Sequence, residues 1–447
     1  AQARAVDTIR YDSYIPALAA CARMHPPGVI LLFATSCLAA SAREPEAASP
    51  APVDADTIPL VQRTFGRAGS RRLPAAARRA LAEGVAQTPA EAGLGLLQAR
   101  GRRVLRIPST TVDLDLPPEQ RWVAFYAAHR EKLLMPEPDV VAEMPQPVFV
   151  APKELRSQVD FAADGELLAE LRGIVAGVND SRVTLETLLN DELGYEGGFT
   201  SGCTALLAAT ANGTVFHGRN LDIMYGMYAF DYIFDATFYR GGKPLFATTH
   251  FFGSVGTATG YRIGRYSIAQ NTRPGVEQMA RNAAAAKAGG RPMEFLIRET
   301  LQYVDNFRDA VSKLAEVPVI APQYFTLAGA GPWEGALITR DRKGSPAPHA
   351  NVEVLSPQID RWFIAQTNDD TWRPALDDRR PTLLHKLSEM TAEMVNPSSM
   401  LDLMMTEPVL NNGTAFTWIL EPSTGHRRVF LGIDELNGIR LPSLAVP

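Results

Sequence analysis

The stretch Gly197-Gly198-Phe199-Thr200-Ser201-Gly202-Cys203-Thr204 runs into Ala205-Leu206-Leu207-Ala208-Ala209. Asn212-Gly213 follows, and then Val215-Phe216-His217-Gly218-Arg219-Asn220-Leu221-Asp222. Two apolar runs around Asn-Gly predict strand, tight turn, strand. Cys203 opens the first strand, and Arg219 and Asp222 close the second. A hairpin folds the end of the second strand beside the start of the first, so these three side chains can meet.

Bulk composition narrows the classes. The chain has 447 residues, enough for one large domain or two ordinary ones. Its 44 basic and 49 acidic residues leave a formal charge of −5, which argues against nucleic acid as the main partner. No run approaches the length of a transmembrane helix. The three cysteines are Cys21, Cys37 and Cys203. A lone cysteine is most often a small buried apolar residue, so Cys203 needs further support before a chemical role is assigned.

Working outward, residues 1–42 read as an upstream segment and a secretory signal peptide. Met24 is the first Met, an apolar core follows at 26–34, and Ala40-Ser41-Ala42 is a small-x-small site. The positive n-region is missing, and a buried helix is the competing reading. Residues 43–110 are rich in Ala, Arg, Pro and Gly and read as a flexible segment, with a solvated helix at 75–84. Residues 111–202 read as a helical α part. Trp122, Phe125, Tyr126 and His129 recur at helical spacing after Pro117-Pro118, and helices are expected at 166–176 and 184–192. Residues 203–447 form the β part. Strands are expected at 232–239, 245–252, 266–270, 324–327, 336–339, 352–355, 362–366, 415–420 and 428–431. Helices are expected at 293–301, after a cap at Asp305, at 383–394 and at 398–405. Sheets alternating with helix pairs suggest layered sheets with helices outside.

Cleavage of the Gly202–Cys203 bond would leave Cys203 with a free α-amine beside its own thiol. An α-amine titrates near 8, so it can take the thiol proton near neutral pH. Nucleophile and base then sit on one residue. Arg219 near the sulfur would stabilise the thiolate, and Asp222 could accept from the α-amine. Gly202, without a side chain, would let the thiol approach its carbonyl in a strained turn.

Several blocks resemble one family in one order: Cys203-Thr204, His217-Gly218-Arg219-Asn220-Leu221-Asp222, Ile338-Thr339-Arg340-Asp341-Arg342-Lys343, Gln366-Thr367-Asn368, Asp377-Asp378-Arg379-Arg380 and Pro408-Val409-Leu410-Asn411. Asp115-Leu116-Pro117-Pro118-Glu119-Gln120-Arg121-Trp122 matches before the cut. The chain looks like the acid ceramidase and N-acylethanolamine acid amidase family, within the wider choloylglycine hydrolase group, from about 112 to 431. The spacings from Cys203 to Arg219 (219 − 203 = 16) and to Asp222 (222 − 203 = 19) agree with it.

The resemblance implies an α+β fold, the αββα four-layer N-terminal-nucleophile sandwich, self-cleaved at Gly202-Cys203 into an α/β heterodimer from one chain. It implies Cys203 as nucleophile, Arg219 and Asp222 as its partners, and Asn368 and Arg379 as further site residues. Asn368 could donate to an oxyanion, and Arg379 could orient Asn368 or the substrate carbonyl. The bland readings are a turn residue at Asn368 and a solvated ion-pair cluster at 377–380. Thr272 stands where the family has an acid before an arginine, so that acid is lost or moved.

The implied partners are a lipid amide substrate and a membrane surface or lipid activator, with no cofactor and no metal. The implied location is the secretory pathway, lysosomal or secreted. Tyr225, Phe251 and Phe252 could line an acyl-chain channel or be sheet core. Ceramide-type amides are favoured on the blocks at 321–325 and 338–343, with N-acylethanolamines second. A bile-salt or penicillin V acylase-like amidase and a non-catalytic lipid-binding relative are the remaining readings. Asn179, Asn212 and Asn412 fit the glycosylation pattern.

Overall fold

The computed structural model describes residues 108–134, 153–198, 202–223, 232–344, 352–431 and 443–444. They belong to one compact unit that begins at Gly84. The signal-peptide reading, the helix at 75–84 and Tyr225 lie outside the described residues.

Fourteen strands are named in chain order: β1 (Ser109–Asp113), β2 (Cys203–Ala209), β3 (Val215–Asp222), β4 (Ile233–Arg240), β5 (Lys243–Phe251), β6 (Thr259–Arg262), β7 (Tyr266–Thr272), β8 (Gln323–Gly329), β9 (Gly335–Arg340), β10 (Val352–Val354), β11 (Phe363–Gln366), β12 (Thr414–Glu421), β13 (His426–Leu431) and β14 (Ser443–Leu444). Eight form one sheet, in the order β1-β4-β5-β6-β7-β8-β9-β10, and six form the other, in the order β11-β2-β3-β12-β13-β14. Pairing is antiparallel except that β1 adds to β4 in parallel. The sheets face each other through β2 and β3 against β7, β8 and β9.

The α-helices of the described residues are α1 (Val123–Ala128), α2 (Arg130–Leu134), α3 (Lys153–Arg156), α4 (Gly165–Val178), α5 (Leu185–Glu192), α6 (Met279–Lys287), α7 (Met293–Tyr303), α8 (Phe307–Glu316), α9 (Arg379–Ser388) and α10 (Pro397–Met404). Of these, α7 and α8 cover the outer face of the larger sheet, while α9 and α10 cover that of the smaller. The layers are therefore α, β, β, α, as the resemblance implies. None of the described helices is long and apolar enough to cross a membrane.

Local rules account for the elements. Helix α4 buries Leu167, Leu171, Ile174 and Val178 at helical spacing and stops at Asn179, whose φ of 48° is left-handed. Thr184 caps α5 through the Thr187 N–H in a capping box. Every residue of β2 and β3 is buried, because this pair has a sheet on one side and helices on the other.

Several expectations change. The cap of α8 is Asn306, whose Oδ1 accepts from the Asp309 N–H at 2.9 Å, while Asp305 instead pairs with Arg262. The helix expected at 383–394 is α9 followed by a 3₁₀ turn at Ala392–Met394, because the backbone at Thr391 is extended. Strands β1 and β6 and helix α6 carry weak periodicity and have no counterpart in the sequence reading. The β2–β3 turn is longer than two residues. Gly213 N–H donates to the Thr210 carbonyl at 2.8 Å, and Gly213 itself, at φ 91°, completes the reversal.

The parts before and after Gly202 share one core. Trp122 makes edge contacts with Phe234 and Phe238, and its indole N–H donates to Glu170 Oε2 at 2.7 Å. Glu170, fully buried, also meets Arg121 at 2.7 Å and the equally buried Arg298 at 3.2 Å. The Arg298 guanidinium stands over Phe238 and Phe246 at 4.2 and 4.8 Å from the ring centroids. Removing one partner of a buried ion pair typically costs about 3–5 kcal/mol. The Glu170→Gln variant should therefore lose stability of that order in denaturant unfolding; an unchanged midpoint would show that Glu170 does not hold the two parts together.

Candidate active site

The register pairs Cys203 with Leu221 and Ala205 with Arg219. Directly opposed residues of a ladder share a face, and so do residues two apart. Cys203, Arg219 and His217 therefore point between the sheets, while Gly218, Asn220 and Asp222 point to the helices. Each residue of the 217–222 block has its own task. His217 bonds Ser267 and Thr326 of the opposite sheet at 2.8 and 3.1 Å. Gly218 lets α10 approach, since a Cβ there would stand 2.9 Å from Met404 Cγ. Asn220 Nδ2 donates to the Met404 and Val409 carbonyls at 2.8 and 3.0 Å, so it closes the end of α10. Burial and the Arg219 charge push His217 down to about 3, so it is neutral and already bonded on both nitrogens, which leaves it a packing role.

Cys203 is fully buried. Its N–H donates to Asn368 Oδ1 at 2.6 Å. Arg379 Nη2 donates to the same oxygen at 3.0 Å, and Arg379 Nη1 donates to the Cys203 carbonyl at 2.9 Å. Asp377 holds the other edge of this guanidinium at 2.8 Å. Arg379 and Arg380 are both buried, so the 377–380 block is more than a solvated cluster. The partner of the Cys203 nitrogen in the uncut chain is thus Asn368, not Asp222. The Asn368 amide nitrogen donates to the Thr272 carbonyl at 2.9 Å.

Asp222 lies on the other side of the same peptide. Its N–H donates to the Gly202 carbonyl at 2.9 Å, the one that cleavage would attack. Its carboxylate accepts from Thr414 Oγ1 at 2.6 Å, Asn411 Nδ2 at 3.1 Å and Arg379 Nη1 at 3.3 Å. Burial raises its carboxyl to about 6, against the lowering pull of Arg379, Thr414 and Asn411. A side chain at 202 would crowd this group. Its Cβ would stand 3.3 Å from Arg379 Nη1 and 3.4 Å from Asp222 Oδ2. These contacts are tight but would yield to a shift of a few tenths of an ångström in the Arg379 side chain, so packing favours glycine there.

Arg219 Nη1 donates to Asn271 Oδ1 at 2.7 Å. Its Nε and Nη2 are buried and find no hydrogen-bond partner among the described residues. Such a cation between the sheets favours negative charge on its neighbours. Asn271, which sequence reasoning missed, also donates through Nδ2 to the carbonyls of Cys203, Gln366 and Thr367 at 3.2, 3.1 and 3.0 Å. Its place beside Thr272 in β7 was the only available signal.

Phe252 stacks on Phe125 at 5.7 Å and packs against Phe234 at 4.9 Å in the aromatic core. Phe251 is partly buried against that core.

The chain approaches the cut over buried carboxyls. Glu192 accepts from the Val255 N–H at 2.5 Å, and Glu196 from the Met293 N–H at 2.6 Å. Glu294 faces Glu192 across Gly256, where a Cβ would lie 2.5 Å from Glu192 Oε2 and 2.7 Å from Glu294 Cβ. Burial raises Glu192 and Glu196 to about 7, and burial with the neighbouring carboxylates raises Glu294 well above its ordinary value.

Stacked sheets under two helix layers, with a buried cysteine at the head of a central strand behind a glycine, define the N-terminal-nucleophile class of hydrolases. No family model matches the chain. It is 31% identical over 317 residues to the N-acylethanolamine-hydrolyzing acid amidase of Mus musculus, covering 70% of this chain and 85% of that one. It is 29% identical over 354 residues to the acid ceramidase of Bos taurus, covering 73% and 86%. A solved structure, the Caenorhabditis elegans ortholog of the amidase, matches with 29% identity and a TM-score of 0.46, covering 55% of this chain and all (100%) of that one. The chain belongs to the family of N-acylethanolamine-hydrolyzing acid amidases and acid ceramidases.

A carboxyl raised by folding binds its proton more tightly in the folded state. Its contribution to stability is full below its unfolded pKa and is lost as pH rises through its folded one. With Asp222 raised from 3.8 to about 6 and Glu192 and Glu196 from 4.5 to about 7, stability should fall as pH rises from about 4 to about 7 and level off above that. Thermal unfolding across that range checks the sign. Glu294→Gln should flatten the loss, and an equal or higher midpoint at the upper end in the unaltered protein would contradict it.

Proposed function

We propose that the chain is an N-acyl amide hydrolase of the acid ceramidase type, acting on ceramide-like lipid amides after self-cleavage at Gly202-Cys203. The observation that carries the reading is the pair of grips on one peptide. Asn368, oriented by Arg379, holds the Cys203 nitrogen, and the Asp222 N–H holds the Gly202 carbonyl. A donor already on that oxygen stabilises the charge that develops when sulfur attacks its carbon.

The steps balance as follows. The Cys203 thiol loses its proton, and sulfur attacks the Gly202 carbonyl carbon. That proton passes to the Cys203 nitrogen as the Gly202–Cys203 C–N bond breaks, so the nitrogen leaves as the free α-amine and a thioester remains. Water opens the thioester to a Gly202 carboxylate and a free Cys203 thiol. In turnover the α-amine takes the thiol proton, sulfur attacks the substrate carbonyl, and the amine product leaves with a proton. Water then hydrolyses the acyl-enzyme to a fatty acid. Arg219 favours the thiolate by its charge.

N-acylethanolamines are the second reading, favoured by the 31% identity to the mouse amidase. The α/β heterodimer, contact with a membrane surface or lipid activator, and a lysosomal or secreted location belong to the same proposal.

Cys203→Ala tests it. The unaltered protein should give two bands on a denaturing gel, the larger starting at Cys203, and should hydrolyse a fluorogenic ceramide faster than an N-acylethanolamine or a conjugated bile salt. The variant should remain one band and lose turnover by at least about 1,000-fold. Turnover that survives the substitution would overturn the mechanism, and a reversed substrate order would select the second reading.

A further inference from the structure

Three consecutive residues at the end of β7 grip the loop that carries Asn368. Asn271 Nδ2 donates to the Gln366 and Thr367 carbonyls at 3.1 and 3.0 Å. The Thr272 carbonyl accepts from Asn368 Nδ2 at 2.9 Å. Arg273 forms a two-pronged pair with Asp370, Nε to Oδ1 at 2.7 Å and Nη2 to Oδ2 at 3.0 Å. Tyr324 Oη, from β8, donates to the same Asp370 oxygen at 2.7 Å. Asp370 is 4% exposed and Arg273 9%, so the pair sits out of water, with the exposed Arg373 side chain 3.6 Å from Asp370 as the remaining nearby charge. Burial alone would raise the Asp370 carboxyl, but the bonds from Arg273 and Tyr324 hold it below its ordinary value.

We propose that Arg273 and Asp370, with Tyr324 closing the pair, are positioning residues for Asn368. This rests on the amidase reading of the site. Asn368 must present one oxygen to the Cys203 nitrogen and keep its amide turned away from it. Rotation of the side chain by half a turn would put an N–H against an N–H. The Thr272 carbonyl sets the orientation, and the Arg273–Asp370 fork keeps that carbonyl and the loop at one separation. A bidentate pair fixes angle as well as distance, which a single contact does not. The hydrogen bonds of the pair run between Arg273, Asp370 and Tyr324, so it reaches the Gly202–Cys203 peptide through the loop that carries Asn368.

A double-mutant cycle in the full chain tests this. Asp370→Asn should lower kcat about 10- to 100-fold with KM little changed, and should slow the appearance of two bands by a similar factor. In an Asn368→Ala background the same substitution should cost nothing further, because the group it positions is gone. Asp370→Glu should recover part of the loss. Equal costs in the two backgrounds would show a merely structural pair and overturn the proposal. Backbone hydrogen exchange in the uncut Cys203→Ala protein gives an answer independent of activity. Adding Asp370→Asn should speed exchange of the 366–370 segment at least about 10-fold while β2 and β3 stay protected. No local change there would also overturn it. If the unaltered chain neither splits nor hydrolyses any amide, the amidase reading fails, and the exchange experiment still decides the clamp.

Discussion

The β2–β3 ladder is buried on both faces, and the remainder of the site follows from that constraint. A polar group placed there cannot turn to water, and an unmet one costs about 1–3 kcal/mol. Each polar side chain of the 217–222 block therefore reaches a distinct element. His217 goes to β7 and β8, Asn220 to the end of α10, and Asp222 to Thr414 and Asn411. Arg219 reaches Asn271 of β7 through Nη1, while its Nε and Nη2 find no partner among the described residues. A buried cation there favours negative charge on its neighbours. The unmet donors and the neighbouring nucleophile strand thus belong to one account.

The Gly202–Cys203 peptide inherits the same logic. Strand pairing carries on past the first residue of β2, so the Gly202 carbonyl accepts from Asp222 as a further rung of the ladder. The nitrogen on its other side has no strand to meet, and Asn368 serves in place of one. A ladder rung and a side chain thereby hold the two ends of one amide. Arg379 and Asp222 leave little space beside Gly202.

Much of this architecture was legible. Apolar runs about Asn212-Gly213 implied the hairpin and a meeting of Cys203, Arg219 and Asp222, and the register then put Cys203 and Arg219 on one face and Asp222 on the other. The fully buried β8 and β9 read as strands from their β-branched and aromatic content. The elements that escaped detection have physical reasons. Strand β1 is short and half exposed and owes its existence to β4. Helix α6 is largely alanine, so its sequence offers no apolar stripe to read. Asp305 resembled a cap as well as Asn306 did, and the choice fell to the residue whose backbone is extended at the start of α8.

The sequence by itself determined the hairpin, the strand that Cys203 opens and the glycine before it, because local period and turn chemistry encode those directly. Only the tertiary structure decided which group meets the Cys203 nitrogen, what crowds residue 202, and where a carboxylate for Arg273 comes from. Those answers join residues about 70 to 170 positions apart, such as Cys203 with Asn368 and Arg273 with Asp370. Nothing in local spacing ranks Asn271 above any other asparagine. It matters because two sheets bring Arg219, the Cys203 carbonyl and the Asn368 loop within reach of one amide.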